Sequence, residues 1–95
     1  MALRELYNLS VDVKCSKRVT SEHFEKMQRE MSSRKGVEMT LSDDGKSISI
    51  ESTELAEMEL WFSIGSVVTV VETISVNSMK IDYRRVTNAR SENSM

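Results

Sequence analysis

A strict alternation of apolar and polar residues near the N-terminus constrains the fold more than any other feature of the sequence. Tyr7, Leu9, Val11, Val13 and Cys15 occupy every second position, with polar residues between them. Successive side chains of a strand point to opposite faces, so the pattern predicts a β-strand with one buried and one solvated face. Such a strand needs neighbouring strands and an apolar element packed over its buried face.

A helix is predicted for residues 21–34. Thr20 can act as its N-cap, and Gly36 can end it. Phe24, Met27 and Met31 fall at i, i+3 and i+7, which places them in one narrow apolar stripe. We therefore expect this helix to pack on the sheet through that stripe.

The next two alternating runs predict a hairpin. "VEMTL" (37–41) and "SISIE" (47–51) are joined by "SDDGK", and Asp-Gly between alternating runs is a strong hairpin signal.

The stretch "STELAEMELWFSIGS" (52–66) decides between two folds. Its Glu, Leu, Ala and Met residues favour a helix, whereas Met58, Leu60, Phe62 and Ile64 alternate as in a strand. A helix would place Glu59 among apolar residues, so we favour the strand. The favoured order is β-α-β-β-β-β-β, an α+β fold with one helix on a mostly antiparallel sheet. The alternative is the ferredoxin-like order β-α-β-β-α-β plus an extra strand.

The favoured order predicts a second apolar face of the sheet. With turns at Gly65-Ser66 and Asn77-Ser78, a set of large apolar residues would share a face with Trp61: Val68, Val70, Ile74, Met79, Ile81 and Tyr83. One helix cannot cover both faces, and monomers rarely expose a large apolar patch. We therefore expect a homodimer that forms through this face.

Length and composition indicate one small cytoplasmic domain. A chain of 95 residues forms a single domain, here expected over residues 1–86 and followed by a mobile polar tail over 87–95. One cysteine cannot form an internal disulfide, no secretory leader is evident, and no apolar run reaches the length of a membrane span.

Residues for catalysis or metal binding are scarce. The only Cys/His pair is Cys15 and His23, without a third orienting group, and two such residues fall short of a zinc site. The three glycines stand apart, so there is no glycine-rich phosphate loop. We expect neither an enzyme nor a bound cofactor or metal.

The charge distribution suggests a protein partner. Residues 37–76 carry one Lys against eight Asp/Glu, and several of these carboxylates surround the only tryptophan: Glu51, Glu54, Glu57 and Glu59 around Trp61. An acidic face with a tryptophan anchor suits a basic surface on another protein. Small proteins of this layout are common among phage and mobile-element accessory factors, including inhibitors of host defence. We therefore expect a non-enzymatic module that inhibits or regulates a partner protein.

Two alternatives stay open. A nucleic-acid-binding regulator would use the basic residues of the first connector and of the C-terminal end, namely Lys14, Lys17, Arg18, Arg84 and Arg85. The chain could also be a purely structural subunit of an oligomer.

Overall fold

A computed structural model describes residues 5–31 and 36–87. Their elements are β1 (Glu5–Cys15), α1 (Ser21–Met31), β2 (Val37–Leu41), β3 (Ser47–Leu55), α2 (Glu57–Val71) and β4 (Val76–Thr87).

The four strands form one antiparallel sheet in the order β2-β3-β1-β4. Both helices contribute side chains to the core on one face of this sheet. The predicted α+β class with an antiparallel sheet is confirmed, and the element order is the ferredoxin-like alternative. The favoured order with one helix is wrong, and the described part of the chain contains no extra strand.

Sheet topology explains why residues 57–71 form a helix. β3 and β4 are both antiparallel to β1, so they run parallel to each other with β1 between them. Parallel strands require a long crossover connection, which is usually a helix. α2 provides this crossover, and α1 does the same between β1 and β2.

The strand predicted over residues 54–64 is therefore corrected. Leu60, Val67 and Val71 recur at helical spacing and are buried, whereas Met58 and Phe62 lie on the outer side of the helix. The sequence argument failed because it placed Glu59 in the buried stripe of the helix, whereas Glu59 is exposed and Leu60 is buried. Gly65 lies inside α2, and the turn predicted at residues 77 and 78 is part of β4.

The earlier elements follow their sequence patterns. In β1, the alternating residues from Leu9 to Cys15 are buried. α1 begins as predicted, because the His23 amide donates a hydrogen bond to Thr20 Oγ1 at 3.1 Å. Met27 and Met31 are buried under it, and its predicted continuation to residue 34 lies outside the described residues.

The predicted β2–β3 hairpin is confirmed, with Gly45 in its turn at φ +72°. The predicted tail lies outside the described residues from residue 88 onward, and Thr87 ends β4.

The face of the sheet opposite the helices is polar. On β1 it carries Asn8, Ser10, Asp12 and Lys14, which pair in register with Arg84, Asp82, Lys80 and Ser78 on β4. This corrects the predicted second apolar sheet face. Alternation along β1 sends its large apolar side chains to the helix side only.

Candidate functional site: an exposed apolar surface on α2 and β4

Exposed large apolar side chains are confined to two elements. Within residues 5–31 and 36–87, all six lie on α2 or β4: Met58 (70% exposed), Trp61 (51%), Phe62 (56%), Val68 (37%), Val76 (37%) and Tyr83 (46%). We call these six residues the α2–β4 surface. Apolar residues scattered singly are normal on a protein surface, so the concentration of these six on two elements makes them the candidate site.

The composition of α2 explains why its outer side is apolar. One side of the helix is buried on the sheet through Leu60, Ser63, Val67, Val70 and Val71. No charged residue occurs between Leu60 and Val71, so the outer side is apolar as well. A helix that is hydrophobic all round is normally covered on all sides.

Aromatic contacts hold Trp61 in place. Its ring packs edge-on against Tyr83 of β4, with ring centroids 5.6 Å apart. Tyr83 in turn packs edge-on against Tyr7 of β1, with centroids 6.2 Å apart. Such pairs contribute about 0.5–1.5 kcal/mol beyond burial. Trp61 is therefore half-exposed, and its contact with Tyr83 favours one orientation of the ring.

The predicted acidic site around Trp61 is brought together only in part. Glu57 lies one helical turn before Trp61 on α2, so the two share a side of the helix. Glu59 instead accepts a hydrogen bond from the Ala56 amide at 2.8 Å and closes the start of α2. Glu51 pairs in register with Ser10 on the polar face of the sheet.

Glu54 has a different structural role. It adopts a left-handed φ of +57°, and its amide donates to Asn8 Oδ1 at 3.1 Å. The register of β1 and β3 shifts at this point, and Leu55 points into the core.

The residues predicted to form an apolar dimer face divide into three groups. Val68 and Tyr83 belong to the α2–β4 surface, while Val70 is buried beneath α2. Ile74, Met79 and Ile81 are partly buried against the core. The prediction that these residues share a second face of the sheet is therefore wrong, because Val68 and Val70 lie on a helix.

Arg84 and Arg85 lie apart from the other residues of the predicted basic patch. Lys14 and Arg84 share the polar sheet face, but Arg84 pairs with Asn8, six residues along β1 from Lys14. At about 3.3 Å per residue this separates them by about 20 Å. Arg85 lies on the other face and forms a 3.3 Å ion pair with Glu5. Lys17 and Arg18 lie in the β1–α1 connector.

Cys15 is buried, and the His23 ring forms a hydrogen bond with Thr73. Burial raises the pKa of the Cys15 thiol, which disfavours the reactive thiolate. The His23 ring hydrogen-bonds through Nε2 to Thr73 Oγ1 at 2.9 Å. In the described ranges, no three His, Cys, Asp or Glu residues group as metal ligands, and no helix is long and apolar enough to cross a membrane.

Sequence reasoning missed Met58 and Phe62 as exposed residues. The available signal was the charge-free run from Leu60 to Val71, which is apolar on every side when wound as a helix. When the same run is interpreted as a strand, the apolar outer side of a helix is not predicted.

Comparisons with known proteins identify fold relatives. No protein-family model and no curated protein matches the chain. A putative PII-like signaling protein from Thermus thermophilus has a TM-score of 0.55 and 17% identity, with both chains fully covered. The apo form of CPII from Thiomonas intermedia, a nitrogen regulatory PII-like protein, has a TM-score of 0.51 and 14% identity, with 92% of this chain and 97% of that chain covered. At these identities, the likeness shows that the chain shares the fold of these PII-like proteins.

Proposed function

We propose that this chain is a non-enzymatic regulatory module that acts by binding another protein through the α2–β4 surface. One observation carries the proposal: every exposed large apolar side chain in the described residues lies on α2 or β4. Interfaces are centred on such residues, and tryptophan and tyrosine are enriched among those that dominate binding energy.

The held position of Trp61 supports this role. Its contact with Tyr83 reduces the side-chain freedom that would be lost on binding, and this lowers the entropic cost of association. Glu57 beside it provides a charge at the edge of the apolar area. The PII-like fold relatives, whose names include signaling and nitrogen regulation, are consistent with regulation by binding.

We propose regulation through protein binding and no more specific role. Neither the site nor the fold relatives support an anti-defence or phage-specific role. A second copy of the chain is the alternative occupant of the α2–β4 surface, so the predicted homodimer would have to form there.

Affinity capture from the native host tests the proposal. The bait is the full chain, compared with a Trp61→Ser, Phe62→Ser variant and with Lys80→Ala on the polar sheet face as the matched control. We expect a protein that the wild type and Lys80→Ala retain equally and the double variant loses. Circular dichroism checks that all three baits are folded. Equal retention by the double variant would contradict the choice of surface.

A further inference from the structure

Gly65 is a glycine in the middle of α2, beside the α2–β4 surface. It lies in the interior of α2, where glycine is unfavourable compared with alanine. Its φ is not in the left-handed region, and a Cβ built on it would meet nothing within 4 Å among the described residues. Neither backbone conformation nor packing within this part of the chain requires a glycine here.

The surroundings of Gly65 form a shallow groove on the outer side of α2. Trp61 and Phe62 stand one turn before it and Thr69 one turn after it, and Ser66 and Val70 complete the α2 lining. A glycine between large side chains lets another backbone approach closely, and the distance between packed helices depends on the side chains at the contact.

Charges mark the two ends of this groove. Glu57 lies one turn before Trp61, and Glu72 lies one turn after Val68. The segment from Glu57 to Glu72 contains no Lys or Arg. The groove is therefore lined by uncharged residues of α2 between two acidic ends, and Glu30 of α1 adds a third carboxylate to its wall.

This pattern disfavours a second copy of α2 as the occupant. An antiparallel crossing at Gly65 would bring Glu57 of one copy close to Glu72 of the other, and a parallel crossing would pair each Glu57 with its equivalent. Like charges facing one another across an interface oppose association.

We infer that the outer face of α2 binds an amphipathic helix of a partner protein, which crosses α2 at Gly65 and carries Lys or Arg at both ends of its apolar stripe. This inference rests on the proposed function and names the partner's class. Helix-in-groove recognition uses apolar anchors at i, i+3, i+4 and i+7, and basic ends would meet Glu57 and Glu72.

The test measures the binding of fluorescein-labelled helical peptides to the full chain by fluorescence anisotropy. One peptide has a Leu/Ile stripe, a central Ala and Lys at both ends; a second replaces each Lys with Glu, and a third scrambles the first. We expect the Lys-ended peptide to bind at least about tenfold tighter than the other two, with an affinity that falls as salt rises.

Variants separate this inference from the proposed function. Gly65→Gln should lower the affinity for the Lys-ended peptide at least about tenfold. It should also raise the thermal midpoint of the chain, because glutamine is a better helix former than glycine. Ser49→Gln, on the polar sheet face, is the matched control and should leave affinity unchanged. Glu57→Lys with Glu72→Lys should reverse the preference between Lys-ended and Glu-ended peptides.

Each contrary outcome has a definite reading. If Trp61→Ser with Phe62→Ser abolishes binding but Gly65→Gln does not, the surface stands and the crossing at Gly65 is overturned. Equal binding of Lys-ended and Glu-ended peptides would overturn the basic partner. Absence of binding by every peptide would overturn the whole inference. A light-scattering mass of twice 10.8 kDa that returns to 10.8 kDa in the Trp61→Ser, Phe62→Ser variant would then assign the groove to a second copy.

Discussion

At the scale of single residues, two glycines of this chain have opposite structural roles. Gly45 has a φ of +72°, and a Cβ there would approach Arg18 Cγ to 2.7 Å. Gly65 is helical and has open space beside it. We expect Gly45→Ala to lower the free energy of unfolding by about 1–3 kcal/mol through backbone strain. We expect Gly65→Ala to raise it by about 0.5–1 kcal/mol.

Urea unfolding of the two variants checks this contrast, and each is the control for the other. Effects of the same sign would contradict it. The turn at Gly45 was predicted correctly from the sequence, because Asp-Gly between two strands favours a turn with a positive φ. There was no comparable signal for Gly65, since a glycine can end a helix or lie within one.

Asp44 gives the hairpin turn a pH dependence. Hydrogen bonds from the Ser42 hydroxyl at 2.6 Å and the Lys46 amide at 3.0 Å lower the pKa of the Asp44 carboxyl. A lowered pKa in the folded state means that the stabilisation is complete above the unfolded pKa, about 3.9, and is lost as pH falls through the folded value.

Asp44→Ala should therefore lower stability at neutral pH, and the difference from wild type should shrink as pH falls below about 3.9. Urea unfolding at a series of pH values measures it. Ser42→Ala removes the strongest contributor to the lowered pKa, so Asp44→Ala should show a weaker pH dependence in that background. A difference that stays constant down to low pH would contradict the assignment.

At the scale of elements, sequence patterns were sufficient where one face of a segment is buried and the other is wet. β1, α1 and the β2–β3 hairpin have that character, and their residues show it in their spacing. α2 is apolar on both sides, so its spacing fits more than one structure. The crossover between β3 and β4 makes it a helix, and that is a property of the sheet as a whole.

One side-chain contact links the start of α1 to the end of α2. Thr73 Oγ1 donates to Val70 O at 2.7 Å, so His23 Nε2 donates to Thr73 Oγ1 at 2.9 Å. A double-mutant cycle of His23→Ala and Thr73→Val should give a coupling energy of about 0.5–1 kcal/mol, the usual net value for a hydrogen bond.

Thr69→Val is the matched control for this cycle. Thr69 Oγ1 donates to Gly65 O within α2, so its loss should not couple to His23→Ala. Equal coupling of His23 to both threonines, or none to Thr73, would show that this contact does not hold the two helices together. Thermal unfolding of the four chains in each cycle gives the measurement.

At the scale of the whole molecule, folding redistributes charges that are grouped in the sequence. The predicted acidic cluster separates because Glu51 lies on the polar sheet face, Glu59 caps α2 and Glu57 stays beside Trp61. Only the tertiary structure determines which charges meet. The sequence pattern grouped Trp61 with Tyr83, and their rings are in contact, whereas the exposure of Met58 and Phe62 depends on the helical structure of α2.

The same redistribution affects the nucleic-acid alternative. Phosphate binding needs several Lys or Arg side chains on one surface, and stacking aromatics beside them for single strands. On the polar sheet face, Lys80 lies opposite Asp12, and Lys14 and Arg84 are about 20 Å apart along the strands. The aromatic side chains Trp61 and Tyr83 lie on the helix side instead.

We therefore expect no retardation of a short single-stranded RNA by the full chain in a gel-shift experiment at low salt, where phosphate contacts are strongest. A Lys17→Glu, Arg18→Glu variant should behave as the wild type does, because the connector alone offers too few cations. Retardation that decreases with salt and disappears in this variant would contradict the expectation. It would assign the chain to nucleic-acid binding through the β1–α1 connector, independently of the α2–β4 surface.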